Sequence, residues 1–186
     1  MPILRVEPMR KLILFGCSLA AAAALIGTAG AAEPNVGTLS VEQGKGVVAL
    51  DIRGSVLGRL TNGSLRVVDQ TPRDRFDPLV VGRRLTQERL GPRTVLYRGQ
   101  GLRFRMVGGG FRIVVRGTGI SVSAVGRGAV SLDGERRVEG EDTGVYSLDG
   151  VDCGIEPALC TPLPDEPERF VIGPPPPDED PRGARG

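Results

Sequence analysis

Residues 102–117 read Leu-Arg-Phe-Arg-Met-Val-Gly-Gly-Gly-Phe-Arg-Ile-Val-Val-Arg-Gly, and they carry the clearest structural signal in the chain. Apolar and basic side chains alternate on both sides of three glycines, which is the period of two that a half-buried strand imposes. Glycine takes up the positive φ angles of a tight reversal at no steric cost. The stretch therefore predicts a β-hairpin with an apolar inner face and a basic outer face.

The outer face of that predicted hairpin presents four arginines, Arg103, Arg105, Arg112 and Arg116. A register shifted by one residue would bury these charges in place of the apolar side chains, at a large cost in free energy. Guanidinium groups bind phosphate and carboxylate through two parallel hydrogen bonds. We expect the four side chains to form an anion-binding surface. A solvated face without a ligand is the alternative.

The same alternation recurs on either side of the hairpin and predicts an all-β fold. Short runs of alternating residues occur over 37–69 and 94–148, and Asn62-Gly63 is a second strong hairpin signal. We expect one small, mostly antiparallel β-sandwich or flattened barrel over residues 33–160. A short β-solenoid is the alternative, because a faint internal repeat relates the segment from Ile52 to the segment from Val115.

Prolines interrupt this pattern between residues 70 and 96. Proline is excluded from central strands because it cannot donate a hydrogen bond to the ladder. The segment is therefore predicted to be a long connecting loop, or to hold two turns of helix over residues 83–90. Long loops on rigid β scaffolds often carry binding sites, so either a connecting or a binding role is expected.

Residues 1–32 have the composition of an export signal. Arg10 and Lys11 precede an apolar run over residues 12–26, and Ala29-Gly30-Ala31 supplies the small residues that a signal peptidase recognises. We expect a signal helix that is cleaved near Ala31 or Ala32, and a secreted or cell-envelope protein. The run is shorter than the roughly 20 residues that span a bilayer. A retained N-terminal anchor is the alternative.

Two cysteines, Cys153 and Cys160, remain after such a cleavage. In an exported chain, a pair this close in sequence predicts an intramolecular disulfide, with two free thiols as the alternative. Beyond Cys160 the chain is acidic and holds eight prolines. Residues 161–186 are therefore predicted to be a disordered tail outside the domain, with docking of the apolar island Phe170-Val171-Ile172 on the domain as the alternative.

Charge divides the chain into a basic and an acidic part. Residues 33–128 carry 16 basic and 7 acidic side chains, a difference of +9, whereas residues 129–186 carry 5 basic and 14 acidic side chains, a difference of −9. An anionic envelope polymer or lipid would complement the basic part, and so would the acidic tail if it folded back. Nucleic acid is not expected as a partner, because an exported chain with few aromatic residues offers no stacking platform for bases.

The absence of histidine excludes Ser-His-Asp and Cys-His catalysis. Paired carboxylates can still hydrolyse glycosides. The candidates on strands or at strand ends are Asp51, Asp69, Asp133 and Asp149. Calcium could be bound by Asp149, Asp152 and Glu156, although their spacing does not match an EF-hand loop.

No nucleotide, metal or cofactor motif stands out in the chain, and no cofactor is expected. We expect an exported, non-catalytic β-domain with a structural or binding role. A carboxylate-dependent secreted hydrolase and a purely structural, self-assembling β-solenoid are the alternatives.

Overall fold

In a computed structural model, the described residues 37–72, 77–135 and 143–173 consist mainly of β-structure. The strands are β1 Gly37–Asp69, β2 Leu79–Gly91, β3 Thr94–Met106, β4 Gly110–Gly134, β5 Val145–Ser147, β6 Thr161–Pro162 and β7 Glu168–Ile172. A single 3-10 turn lies at Pro157–Leu159, and these ranges contain no helix long and apolar enough to cross a membrane. The all-β prediction is confirmed, while the predicted signal helix lies outside the described residues.

All the strand pairs of the described ranges are antiparallel, and the strand order is β2-β3-β1-β4-β7. β5 lies beside the first part of β1, and β6 pairs with β5. The sheet ends at β2 on one side and at β7 on the other and is not closed. The predicted antiparallel pairing is therefore confirmed. The predicted flattened barrel is corrected to an open sheet.

β1 and β4 are much longer than ordinary strands, which average about 5–6 residues, because both bend without leaving the sheet. Gly63 and Gly117 face each other at one such bend and have φ angles of +144° and +147°. A Cβ atom on Gly63 would lie 2.0 Å from the carbonyl oxygen of Arg116, and one on Gly117 would lie 2.0 Å from that of Asn62. Two glycines in register thus let the two backbones touch where both strands bend.

The bends divide the sheet into two sections that differ in their outer surfaces. The basic section comprises residues 46–53, 62–69, 83–91, 94–100, 110–118, 127–134 and 168–172. The mixed section comprises residues 37–44, 54–60, 79–81, 102–106, 120–126 and 145–147. Consecutive parts of one strand can therefore belong to different sections.

Each section turns one face towards a shared apolar core. Phe111, Leu50 and Met106 are among its fully buried side chains. The ring of Phe104 fills the space beside its cross-strand partner Gly58, where a Cβ atom would lie only 2.2 Å from that ring. The remaining side chains of each section alternate with these and form an outer face towards solvent.

The two predicted hairpins are wrong. β3 pairs with β1 and β2, whereas β4 pairs with β1 and β7, so the chain crosses β1 at residues 107–109 instead of folding back on itself. The amide of Gly54 donates a hydrogen bond to the carbonyl of Gly109, with an N···O distance of 3.1 Å, and fixes this crossing. Asn62-Gly63 continues β1 and does not reverse it. In both places, pairing with a distant strand overrides the local turn chemistry.

The proline-interrupted segment contains a strand, which corrects the predicted loop or helix. β2 forms a hairpin with β3 through a turn at Pro92-Arg93. Pro78 and Pro92 lie just outside the strand, so neither removes a hydrogen bond from the ladder. β2 is an edge strand, and bulges interrupt its register with β3.

The sheet continues beyond residue 160, where the sequence predicts the domain to end, and includes β7. β7 pairs with β4, and its Phe170 ring packs on Tyr146 with the ring centroids 5.4 Å apart. Leu163 and Ile172 are only 3% and 2% exposed. These apolar side chains bury enough surface to order an acidic, proline-containing segment. The predicted tail after residue 173 lies outside the described residues.

The predicted disulfide between Cys153 and Cys160 is confirmed. It closes a loop that is anchored to β1, since the amide of Cys153 donates to Ser40 Oγ at 3.0 Å. We expect replacement of both cysteines by alanine to lower the free energy of unfolding by about 2–3 kcal/mol, because the unfolded chain gains the entropy of the opened loop. Urea unfolding of the wild type with and without a reductant provides the matched comparison. A midpoint unchanged in both experiments would contradict this prediction.

Candidate functional site

The structure separates the four arginines that the sequence places on one face. Arg103 and Arg105 belong to the outer face of the mixed section, and Arg112 and Arg116 belong to that of the basic section. β1 lies between the strands that carry the two pairs. The predicted single surface is therefore corrected to two, and the anion-binding role of these residues stays a prediction.

The outer face of the basic section is rich in arginine. Its exposed arginines lie on six different chain segments; they are Arg53, Arg66, Arg98, Arg112, Arg116, Arg127 and Arg169. The described carboxylates on the same face are Asp51, Glu88 and Asp133. The face therefore has an excess of positive charge, which attracts anions from solution.

Three of these arginines surround a shallow cavity of about 320 Å³. The register places Ser64 between Arg98 and Arg116, and it places Arg66 in the next row between two apolar residues. The complete lining is Ser64, Arg66, Leu96, Arg98, Val114 and Arg116. Leu96 is on the outer face yet only 9% exposed, because the aliphatic stems of long basic side chains cover apolar surface. The cavity has no carboxylate in its lining.

Two arginines of the face form ion pairs. Arg98 Nη1 lies 2.8 Å from Glu88 Oε2, and Arg112 donates to Asp51 Oδ2 through Nη2 at 2.8 Å and Nε at 3.0 Å. Such exposed pairs contribute about 0–1 kcal/mol each, so an anionic ligand can compete for these arginines. In the described ranges no carboxylate forms an ion pair with Arg66 or Arg116.

Arg66 and Arg98 were missed by the sequence-based prediction. Each alternates with buried neighbours, Leu65 and Val67 in one strand and Tyr97 in the other, which is the signal that predicted the hairpin arginines. The alternation shows which side chains point outward, but it does not show which strands lie side by side. That information comes only from the pairing of β3 and β4 with β1.

Two of the carboxylates considered for hydrolysis, Asp51 and Asp69, serve local structure. Asp51 binds Arg112, and Asp69 Oδ1 accepts a hydrogen bond from the amide of Thr71 at 2.8 Å. No two of the four are cross-strand partners. Asp69 does share a cavity of about 350 Å³ with Asp77, which the sequence-based prediction did not consider.

Two members of the acidic cluster considered for calcium, Asp149 and Asp152, accept hydrogen bonds within the chain. Asp149 accepts from the hydroxyl of Ser147, and this bond lowers the pKa of Asp149 below its usual value. Asp152 Oδ1 accepts from the amide of Gly154 at 2.9 Å. The described residues contain no group of three or more Cys, Asp or Glu side chains arranged to hold a metal ion.

No protein-family model, curated protein or solved structure matches the chain.

Proposed function

We propose that the chain is an exported, non-catalytic β-domain that binds an anionic envelope polymer on the outer face of the basic section. The supporting observation is the cavity lined by Arg66, Arg98 and Arg116 without a carboxylate. Guanidinium groups are suited to such a ligand, because their planar fork matches the oxygens of phosphate and carboxylate groups.

The spacing of the arginines suits a repeating anion better than a single ion. Arg98 and Arg116 lie on strands that flank the same segment of β1. Their backbones are therefore about 10 Å apart, which is two inter-strand spacings. A polymer lying across the strands would meet one arginine after another.

We further propose that the two sections stack face to face as the layers of a β-sandwich. The single apolar core to which both sections contribute supports this arrangement. A packed core would hold the strands at fixed separations, so the arginines would be positioned before the polymer arrives. Less conformational entropy is then lost on binding than with a flexible basic tail.

Replacement of Arg66, Arg98 and Arg116 by serine is expected to weaken polymer binding about 100-fold. The estimate assigns about 1 kcal/mol to each exposed charge contact, and about 3 kcal/mol in total corresponds to that change in Kd. Long-chain polyphosphate and polygalacturonate serve as probes, and isothermal titration calorimetry at low ionic strength measures the affinity. The difference between the probes shows whether phosphate or carboxylate is preferred.

The matched control is the triple replacement of Arg59, Arg103 and Arg105 by serine. It removes the same charge from exposed positions outside the basic section's arginine cluster. We expect this variant to retain most of the wild-type affinity. Equal losses of affinity in the two triple variants would show that net charge alone controls binding. A wild-type chain that binds neither polymer would contradict the proposal.

A further inference from the structure

The outer face of the mixed section exposes aliphatic side chains, unlike that of the basic section. Leu57, Leu79, Val81 and Val125 are each about half exposed on it. One row of neighbouring residues across the strands runs Leu79, Arg105, Leu57, Ser123 and Ser40. Exposed aliphatic residues gathered on one face, with polar residues around them, mark an interaction surface.

The two ends of this face carry opposite charges. At the β3 end, Arg103 and Arg105 are exposed. At the other end, the disulfide loop is anchored to Ser40, and its Asp152 borders the same groove as Leu57 and Arg103. The exposed residues of this loop region include Asp149, Asp152, Ile155, Glu156 and Leu159.

We propose that this face binds a second copy of the chain about a two-fold axis that passes near Leu57 and Ser123. In a two-fold dimer the same patch serves both subunits, so every contact occurs twice. The basic end of each copy would then lie on the acidic end of the other. The aliphatic residues at both ends and at the centre would be removed from water together.

A second copy fits the face better than an anionic polymer or lipid does. An anionic surface would attract Arg103 and Arg105 but repel Asp152 and Glu156 at the other end. A groove of about 340 Å³ runs along the centre of the face, bordered by Leu57, Arg103 and Asp152. It offers space for the symmetry-related Leu57 side chain near the axis.

Sedimentation velocity and equilibrium experiments on the purified chain test the proposal. We expect a dimer at micromolar concentration, and we expect Leu57→Arg to weaken it at least 100-fold, because the substitution places two cations beside the axis. Arg105→Glu and Glu156→Arg should each weaken the dimer at least 10-fold. The double variant should recover most of that loss, since it exchanges the charges of the two ends.

A control variant with Arg66 and Arg116 changed to glutamate should dimerise like the wild type, because both residues lie on the other outer face. Circular dichroism melts of each variant distinguish a lost interface from a lost fold. A wild-type chain that sediments as a monomer at 100 micromolar or above overturns the proposal. Binding of that monomer to anionic vesicles would assign the face to lipid instead if the binding is retained in the Arg66 and Arg116 variant and lost when Arg103 and Arg105 are replaced by serine. A double variant weaker than both single ones also overturns it.

Discussion

A chain that ends at Pro162 is expected to lose most of its folding stability. The truncation removes β7 and the buried side chains of Leu163 and Ile172. A fully buried aliphatic side chain contributes about 1.5–3 kcal/mol, and Phe170 adds its contact with Tyr146. Together these losses approach the whole free energy of unfolding of an ordinary domain, about 5–15 kcal/mol.

Thermal unfolding followed by circular dichroism measures this effect. The matched control ends at Gly173 and keeps β7, and we expect it to melt close to the full-length chain. The shorter chain should show either no cooperative transition or a melting temperature lowered by tens of degrees. Equal melting temperatures for the two truncated chains would show that β7 does not belong to the folded domain.

Gly63→Ala is expected to destabilise the domain by at least about 3 kcal/mol, because two costs combine in one position. The φ angle of +144° is strained for any residue with a Cβ atom, and that atom would lie 2.0 Å from the carbonyl oxygen of Arg116. The obstructing atom belongs to the backbone of the paired strand, so relief would require the two strands to separate at the bend.

Gly91→Ala is the control for this substitution. Its Cβ atom would have no neighbour closer than 4.0 Å, and no positive φ strains the site. We expect its free energy of unfolding to stay within about 0.5 kcal/mol of the wild type, or to rise slightly through a less flexible unfolded chain. Denaturant unfolding compares the two variants. Similar values for both would show that β1 does not approach β4 closely at Gly63.

The positions of the extended segments, and the side chains that each points inward, could be predicted from the sequence. Val48, Leu50 and Ile52 alternate with polar residues, and all three are buried in the core. Local alternation is enough for this result, because it depends only on the geometry of a single strand. The same signal also indicated that Arg103, Arg105, Arg112 and Arg116 point outward.

The pairing partner of each extended segment in the sheet could not be predicted in the same way. Asn-Gly and glycine runs favour hairpins when two neighbouring segments are free to pair. Here β1 already pairs with residues far along the chain, for example Gly37 with Gly126, and the glycines form bends in place of reversals. The free energy of many long-range ladder contacts exceeds the preference of one turn.

The faint internal repeat has a structural explanation in these bends. Gly54 and Gly117 occupy corresponding positions in the two repeated segments, and both lie within long strands that bend. The two segments resemble each other because β1 and β4 meet the same steric demands where they pair. A solenoid would instead require successive parallel turns, and the strand pairs of the described ranges are antiparallel.

Only part of the candidate anion site was accessible to sequence reasoning. Arg116 was identified, while Arg66 and Arg98 were not, although the three line one cavity. The site is built from three different strands, β1, β3 and β4. A pattern within one segment therefore predicts the cavity residues of that segment and does not identify those on the neighbouring strands.

The central position of β1 also constrains the order of events as the chain is made. β1 leaves the ribosome first, yet its ladder partners in β3 and β4 follow only after several tens of residues. Until β4 has emerged, each part of β1 lacks at least one of its pairing strands, and the apolar core cannot form. High contact order of this kind delays folding. Such a delay would keep the chain unfolded for longer, which the export proposed above would require during translocation.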